Sequence, residues 1–308
     1  MESYSFDHAQ KIVVIGAGAV GATVAYTLML KNLAARIVLI DVNIQKQEGE
    51  VMDIDDVLSF VETGSISSGN FKDAIDADVI ILTAGAAQKP GETRLDLINK
   101  NKTITRSIFK EIGKLKSTAI VLVVANPVDI LTYLVQEVSG LDHKRVFGSG
   151  TSLDTARLRT EISKVLKVSA QNVEGYVLGE HGDTEFDAFS TVSVGGILIK
   201  DFKLPRAKLD EIESKVKNAA YDIINRKGAT FYGIAMVVAD IVEAILFDQR
   251  KIMPLSVRLE GWNGISGVCL SVPVVVGRQG IEKVWPVKLN FSEKIRLKKS
   301  TKEIKKFL

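Results

Sequence analysis

The chain has 308 residues, 46% of them hydrophobic and 25% charged, which suits a folded protein long enough for two domains and excludes a disordered or collagen-like one. A formal net charge of +3 gives no basis for binding nucleic acid or a membrane surface. The single cysteine, Cys269, excludes an internal disulfide; in the apolar run GVCLSVPVVVG it reads as a core thiol, because no basic neighbour is present to activate it.

The opening residues MESYSFDHAQ are polar and lack the basic-then-apolar order of a signal peptide. No apolar run approaches the ~18–20 residues of a membrane span, so a cytoplasmic protein is the default expectation. Next come four short apolar runs: KIVVIG (11–16), RIVLID (36–41), DVIILT (78–83) and AIVLVV (119–124). Runs without polar alternation belong to strands buried on both faces, as in a parallel sheet covered by helices. Helical stretches separate them, including VGATVAYTLMLKN and RLDLINKNKTITRSIFKEIGKL. This alternation predicts an α/β fold with a doubly wound parallel sheet of the Rossmann type over residues 1–150.

The pattern changes over residues 151–308, which read as a mixed α+β domain. A helix, SLDTARLRTEISKVL, leads to the strand-like runs NVEGYVLG and AFSTVSVGGILI. Helices are expected over about 206–227 and 232–248, followed by the strands PLSVRLEG and VCLSVPVVVG. The terminal stretch SEKIRLKKSTKEIKKF reads as a helix with a solvated basic face; Glu293 and Glu303 break its positive charge, which argues against a membrane-surface element.

The first strand ends in GAGAVG, with glycines at 16, 18 and 21. Alone the pattern is weak, but here it follows an apolar strand, opens a helix and lies in a βαβ unit of about thirty residues. Gly16 permits the tight turn, Gly18 lets a pyrophosphate approach the backbone, and Gly21 lets helix and strand pack closely. The free N–H groups of the helix N-terminus then face that anion. Asp41 closes the second strand, where a carboxylate can accept hydrogen bonds from both ribose hydroxyls and repel a 2′-phosphate. The expected cofactor is NAD.

Hydride transfer to a carbonyl requires a proton donor, a group that polarises the C=O, and an anchor for the substrate. Of the three histidines, His8 lies in the polar leader and His143 in a charged turn, whereas His181 follows an apolar strand in LGEHGDTE between Gly179 and Gly182. Metal ligation is the rival reading, weakened by the lack of a second histidine at ligand spacing, so no metal is expected. Asp154 and Arg157 lie three residues apart on one helix face. They form either a surface ion pair or a working pair in which Asp154 orients His181 and Arg157 grips a carboxylate.

Taken together and in order, GAGAVG, GAAQKPGETRLDL, ANPVD, GSGTSLDTARLR, GEHGDTE and KGATFYGIA resemble the L-lactate dehydrogenases within the lactate/malate dehydrogenase family, over nearly the whole chain. The resemblance implies reversible hydride transfer between NADH and pyruvate, giving L-lactate. It implies His181 as acid/base, Asp154 as its partner, and Arg157 as carboxylate anchor. Arg94 matches the arginine that polarises the carbonyl when the loop after the third apolar run closes. Asn126 matches a residue touching both substrate and nicotinamide, before an X–Pro bond that is cis in relatives, and Thr230 a pocket-lining residue. Ala19, Val20, Thr83, Ala84 and Gly85 match cofactor-binding positions beside Gly16, Gly18, Gly21 and Asp41.

Gln88 matches the position that chooses among 2-oxo acids. Malate dehydrogenases carry an arginine there, and a neutral glutamine leaves a second carboxylate without a partner, at a cost of about 3–5 kcal/mol. Oxaloacetate and bulkier 2-oxo acids are the alternative substrates; a nucleotide-binding protein without catalysis is the alternative class. The resemblance also implies a homotetramer. Many bacterial members are activated by fructose 1,6-bisphosphate held between subunits on an arginine and a histidine. Arg159 keeps the arginine, but Glu174 stands at the histidine position, and a carboxylate should repel a phosphate. Weak or absent activation is expected.

Overall fold

The computed structural model describes residues 10–33, 35–86 and 93–308. In chain order the elements of the first half are β1 (Lys11–Ile15), α1 (Ala19–Leu30), β2 (Arg36–Ile40), α2 (Ile44–Asp55), β3 (Ser65–Ser68), β4 (Val79–Leu82), α3 (Arg94–Ile112), β5 (Ile120–Val123), α4 (Val128–Val138) and β6 (Val146–Gly148). The second half contains α5 (Ser152–Leu166), β7 (Val173–Glu174), β8 (Val177–Leu178), β9 (Phe186–Asp187), β10 (Ser193–Val194), β11 (Ile197–Leu198), α6 (Arg206–Lys227), α7 (Tyr232–Leu246), β12 (Lys251–Trp262), β13 (Ile265–Gly277), β14 (Gly280–Val284) and α8 (Phe291–Lys305).

The parallel strands lie in the order β3-β2-β1-β4-β5-β6. Alternate residues of each strand feed opposite layers. Ile12, Val14, Leu39, Ile81 and Leu122 enter a core with α1 and α7, whereas Val13, Ile15, Val38, Ile80 and Val121 enter one with α3 and α4. Burial on both faces explains why β1, β2, β4 and β5 carry no polar alternation. The doubly wound reading holds. The chain order reverses between β1 and β4, and the crevice beyond their carboxyl ends is where such sheets bind ligands.

Two features of the second half go beyond the strand-like runs legible in the sequence. β12, β13 and β14 form no separate sheet: they run antiparallel and extend the parallel one beyond β6, giving nine strands among the described residues. The junction is the pairing of Ser256 with Gly148, where a Cβ would stand 2.7 Å from Val128 and 3.0 Å from the Ser256 Cβ. The runs NVEGYVLG and AFSTVSVGGILI are also not single strands. Gly175 at φ +143° divides the first, and a 3-10 turn at Phe189–Thr191 followed by Gly195 and Gly196 at positive φ divides the second.

α3 opens on a reciprocal cap in which Thr93 accepts from the Asp96 N–H and Asp96 from that of Thr93. It ends at Ile112, before Gly113 at φ +84°. α8 buries Leu297, Ser300, Thr301 and Ile304 and packs on β13, leaving its lysines outward. Among the described residues no helix is long and apolar enough to cross a membrane.

Candidate active site

The carboxyl ends of β1, β2 and β4 meet in a cleft of about 470 Å³ lined by Gly16, Gly18, Asp41, Thr83, Ala84 and Gly85 among others. Gly16 turns the chain at φ +109°, and a Cβ there would stand 2.8 Å from both the Ala84 nitrogen and Thr83 Oγ1. A Cβ on Gly21 would run into the Gly16 carbonyl oxygen, so this glycine is required for helix and turn to touch. Gly18 is different: a Cβ there would meet nothing within 4 Å, so it borders open space. Two glycines thus fit the protein to itself, and the third leaves room for a ligand at the helix N-terminus. Ala19 and Val20 open α1 beside this space rather than lining the cleft, and Gly21 is buried behind them.

Asp41 stands ready at the rim. One carboxylate oxygen accepts from the Ala17 N–H at 2.7 Å and the other from the Asn43 N–H at 2.9 Å. Behind it the buried Gln47 accepts from the Asp41 N–H at 2.6 Å and donates to the Gly69 carbonyl at 3.0 Å. Gln47 went unseen in the sequence because a lone glutamine in an amphipathic helix carries no signal. These features fit a dinucleotide: an open glycine before a helix start and a fixed carboxylate at the end of β2.

A second cleft, of about 450 Å³, contains Arg94, Asn126, Asp154, Arg157 and His181. Residues far apart in sequence converge here because the carboxyl end of β5, the first turns of α3 and α5 and the turn after β8 meet. His181 Nδ1 bonds Asp154 Oδ2 at 2.8 Å, which places the Nδ1 proton toward the carboxylate and leaves Nε2 for the cleft. Arg157 Nη1 donates to the other Asp154 oxygen at 2.8 Å. Asp154 is therefore no surface partner: it is 2% exposed and bridges the acid and the anchor. Glu185 Oε2 lies 3.7 Å from the same His181 nitrogen.

Burial of His181 opposes its charge, but Asp154 and Glu185 outweigh that and hold its pKa well above 6.5. Burial raises Asp154, yet the charges of His181 and Arg157 bring it below the usual carboxylate value. Burial pushes Glu185 up to about 7. Asp129, wholly buried in the first turn of α4, is raised by burial to about 6. Its two oxygens accept from the His181 N–H at 2.8 Å and from Ser256 Oγ at 2.5 Å, so it fixes the turn that presents the imidazole. Asp129 is part of ANPVD, but an acid in a first helical turn reads as a dipole partner and gave no other signal.

The Asn126–Pro127 bond is cis. Buried Asn101 on α3 donates to the Asn126 carbonyl at 2.8 Å and accepts from the Ala86 N–H at 2.7 Å, tying the two loops together. Thr230 lies half-buried in the α6–α7 connection and does not line this cleft. Gln88 lies outside the described residues. His143 lies in a short turn capped by Asp142 and does not line this cleft, and Cys269 is a buried thiol with its pKa pushed up by burial.

Two clefts at the carboxyl edge of a doubly wound sheet, one built for a dinucleotide and one holding a carboxylate-backed histidine between two arginines, define an NAD-dependent oxidoreductase. Residues 10–148 match the family model described as lactate/malate dehydrogenase, NAD binding domain, and residues 151–308 that of its alpha/beta C-terminal domain. The chain belongs to the lactate/malate dehydrogenase family. It is 48% identical over 305 residues to an L-lactate dehydrogenase of Clostridium botulinum, spanning 97% of this chain and 96% of that one. It is 46% identical over 308 residues to that of Acetivibrio thermocellus, with the same coverage. Among solved structures, the ligand-bound minor L-lactate dehydrogenase of Enterococcus mundtii is similar with a TM-score of 0.92 and 43% identity, covering 97% of each chain. A lactate dehydrogenase from a deep-sea metagenome library has a TM-score of 0.93 and 40% identity, covering 97% of this chain and 98% of that one.

Proposed function

We propose that the protein interconverts pyruvate and L-lactate, with His181 as the proton donor and acceptor at the substrate oxygen. The observation that carries this reading is the bridge made by Asp154, which bonds His181 Nδ1 and Arg157 Nη1 at 2.8 Å each. Bound NADH supplies the hydride to the carbonyl carbon. Arg157 pairs with the substrate carboxylate through the donors that Asp154 leaves free. Arg94, from the same cleft, stabilises negative charge growing on the carbonyl oxygen, and protonated His181 donates to that oxygen through Nε2. Asn126, which lines the same cleft, seats the substrate oxygen beside the nicotinamide. Gln88, by its place in the sequence, limits the substrate to a short neutral end.

His181→Ala should abolish most turnover while NADH titration by fluorescence stays as in the parent. Turnover that survives would remove His181 from its role.

The oligomer is proposed on the exposed apolar residues of α2 and α7, both of which pack on α1. Met52 of α2 is 71% exposed, and Tyr232 and Met236 of α7 are 68% and 53% exposed, apolar side chains that a neighbouring subunit would cover. A homotetramer is the family expectation they support. Arg159 Nη2 lies 3.4 Å from Glu174 Oε2, so its charge is already partnered by the acid that replaces the effector-binding histidine. This supports an enzyme without strong activation by fructose 1,6-bisphosphate.

A further inference from the structure

The turn that carries His181 also carries Glu180, to which the family comparison and the reading above give no role. Glu180 is 1% exposed. Its Oε1 pairs with Arg94 Nη2, and Arg94 is its only ion-pair partner among the described residues. The carboxylate is held from behind: Thr184 Oγ1 donates to Oε2, and Ser300 Oγ, on α8, accepts from the Glu180 N–H at 3.2 Å and donates to the Thr184 carbonyl at 2.7 Å. The Phe307 ring stands 5.7 Å from the Arg94 guanidinium carbon. Gly182 leaves room for the pair, since a Cβ there would lie 3.2 Å from Glu180 Oε1 and 3.7 Å from Arg94 Nη2. Asp183 reaches Arg94 Nη1 only at 4.0 Å and is 63% exposed, a weak contact.

We propose that Glu180 is a positioning residue for Arg94: its buried carboxylate grips one Nη throughout the reaction, so that the remaining guanidinium donors face the substrate carbonyl. Two physical points support this. A guanidinium offers five donors in a rigid fork, enough to hold a protein carboxylate on one side and a substrate oxygen on the other. A carboxylate this buried cannot lose the Arg94 cation cheaply, which disfavours a cycle in which Arg94 leaves Glu180 to reach the substrate. The rival is a resting latch, in which the pair must break before the site works.

The inference rests on the role proposed for Arg94, and a double-mutant cycle separates the two. Arg94→Gln should lower kcat for pyruvate reduction by about 10²–10³-fold, as for removal of an oxyanion donor. If it does not, the reading of Arg94 fails and this inference with it. With that loss established, Glu180→Gln should lower kcat about tenfold or more, with a smaller rise in KM, because Arg157 still anchors the carboxylate. The double variant should be no slower than Arg94→Gln alone. Binding of oxamate, a pyruvate isostere whose amide carbonyl resists reduction, should weaken several-fold in Glu180→Gln with NADH bound, read by fluorescence. Multiplicative losses in the double variant would mean that Glu180 acts on the fold rather than through Arg94. Faster turnover or tighter oxamate binding in Glu180→Gln would establish the latch. Thr184→Val, which loosens the carboxylate and keeps its charge, should show the same signature more weakly; parental kinetics in both Thr184→Val and Glu180→Gln would overturn the proposal.

Discussion

Replacing Asp154 by Asn keeps the side chain's shape and removes its charge. In the parent, Oδ2 lies 2.8 Å from His181 Nδ1 and Oδ1 2.8 Å from Arg157 Nη1. A hydrogen bond to a charged group in such a setting contributes about 1.5–3 kcal/mol, equivalent to roughly one to two pH units. Glu185, 3.7 Å from the same nitrogen, remains and limits the fall. Asp154 and Glu185 raise the pKa of His181, so in the parent the protonated acid persists through neutral pH. Pyruvate reduction should therefore hold across neutrality and decline only as pH rises through that raised pKa, while lactate oxidation gains over the same interval. Asp154→Asn should move both limbs to lower pH by about one to two units. It should also slow reduction at neutral pH by roughly 10²-fold or more, because the imidazole loses both charge and orientation. The assay is kcat/KM for each direction from pH 5 to 10. Limbs at their parental pH would refute the claim that Asp154 sets the proton affinity of His181.

Three further outcomes are expected. Arg157→Lys loses the planar fork, so the KM for pyruvate should rise about 10- to 100-fold in steady-state assays, and an unchanged KM would dismiss Arg157 as anchor. Asp41→Ala should weaken NADH binding by about 10- to 100-fold and narrow the preference over NADPH, measured by fluorescence titration; a parental preference would place the ribose elsewhere. Because Glu174 partners Arg159, adding fructose 1,6-bisphosphate should leave the apparent pyruvate KM in place, and a clear fall would contradict the assignment.

The sequence made some elements legible and hid others for physical reasons. β1, β2, β4 and β5 stood out because burial on both faces leaves no room for polar residues. β3 did not: it is an edge strand, SISS, in which Ile66 alone is buried. β6 is three residues long, and the extension of the sheet by β12 depends on one pairing between Ser256 and Gly148, a long-range contact that no local pattern encodes. In the site, the glycine turn and Asp41 followed from spacing, because the βαβ unit fixes their relation within one short segment. The bond between Asp154 and His181 spans 27 residues, so the residues alone left Asp154 open between a surface ion pair and a partner of His181, and the family resemblance favoured the second. Asp129, Glu180 and Glu185 stayed hidden, since an acid in sequence gives no sign that folding will bury it against a histidine or an arginine. Gln88 rests on the resemblance, as it lies outside the described residues.

The most direct test compares kcat/KM of the purified protein with NADH for pyruvate and for oxaloacetate. A preference for pyruvate of roughly a hundredfold or more is predicted from a neutral Gln88 and a single carboxylate anchor at Arg157. Equal or faster reduction of oxaloacetate would contradict the assigned substrate, and NADH binding without oxidation by either acid would contradict the catalytic reading itself.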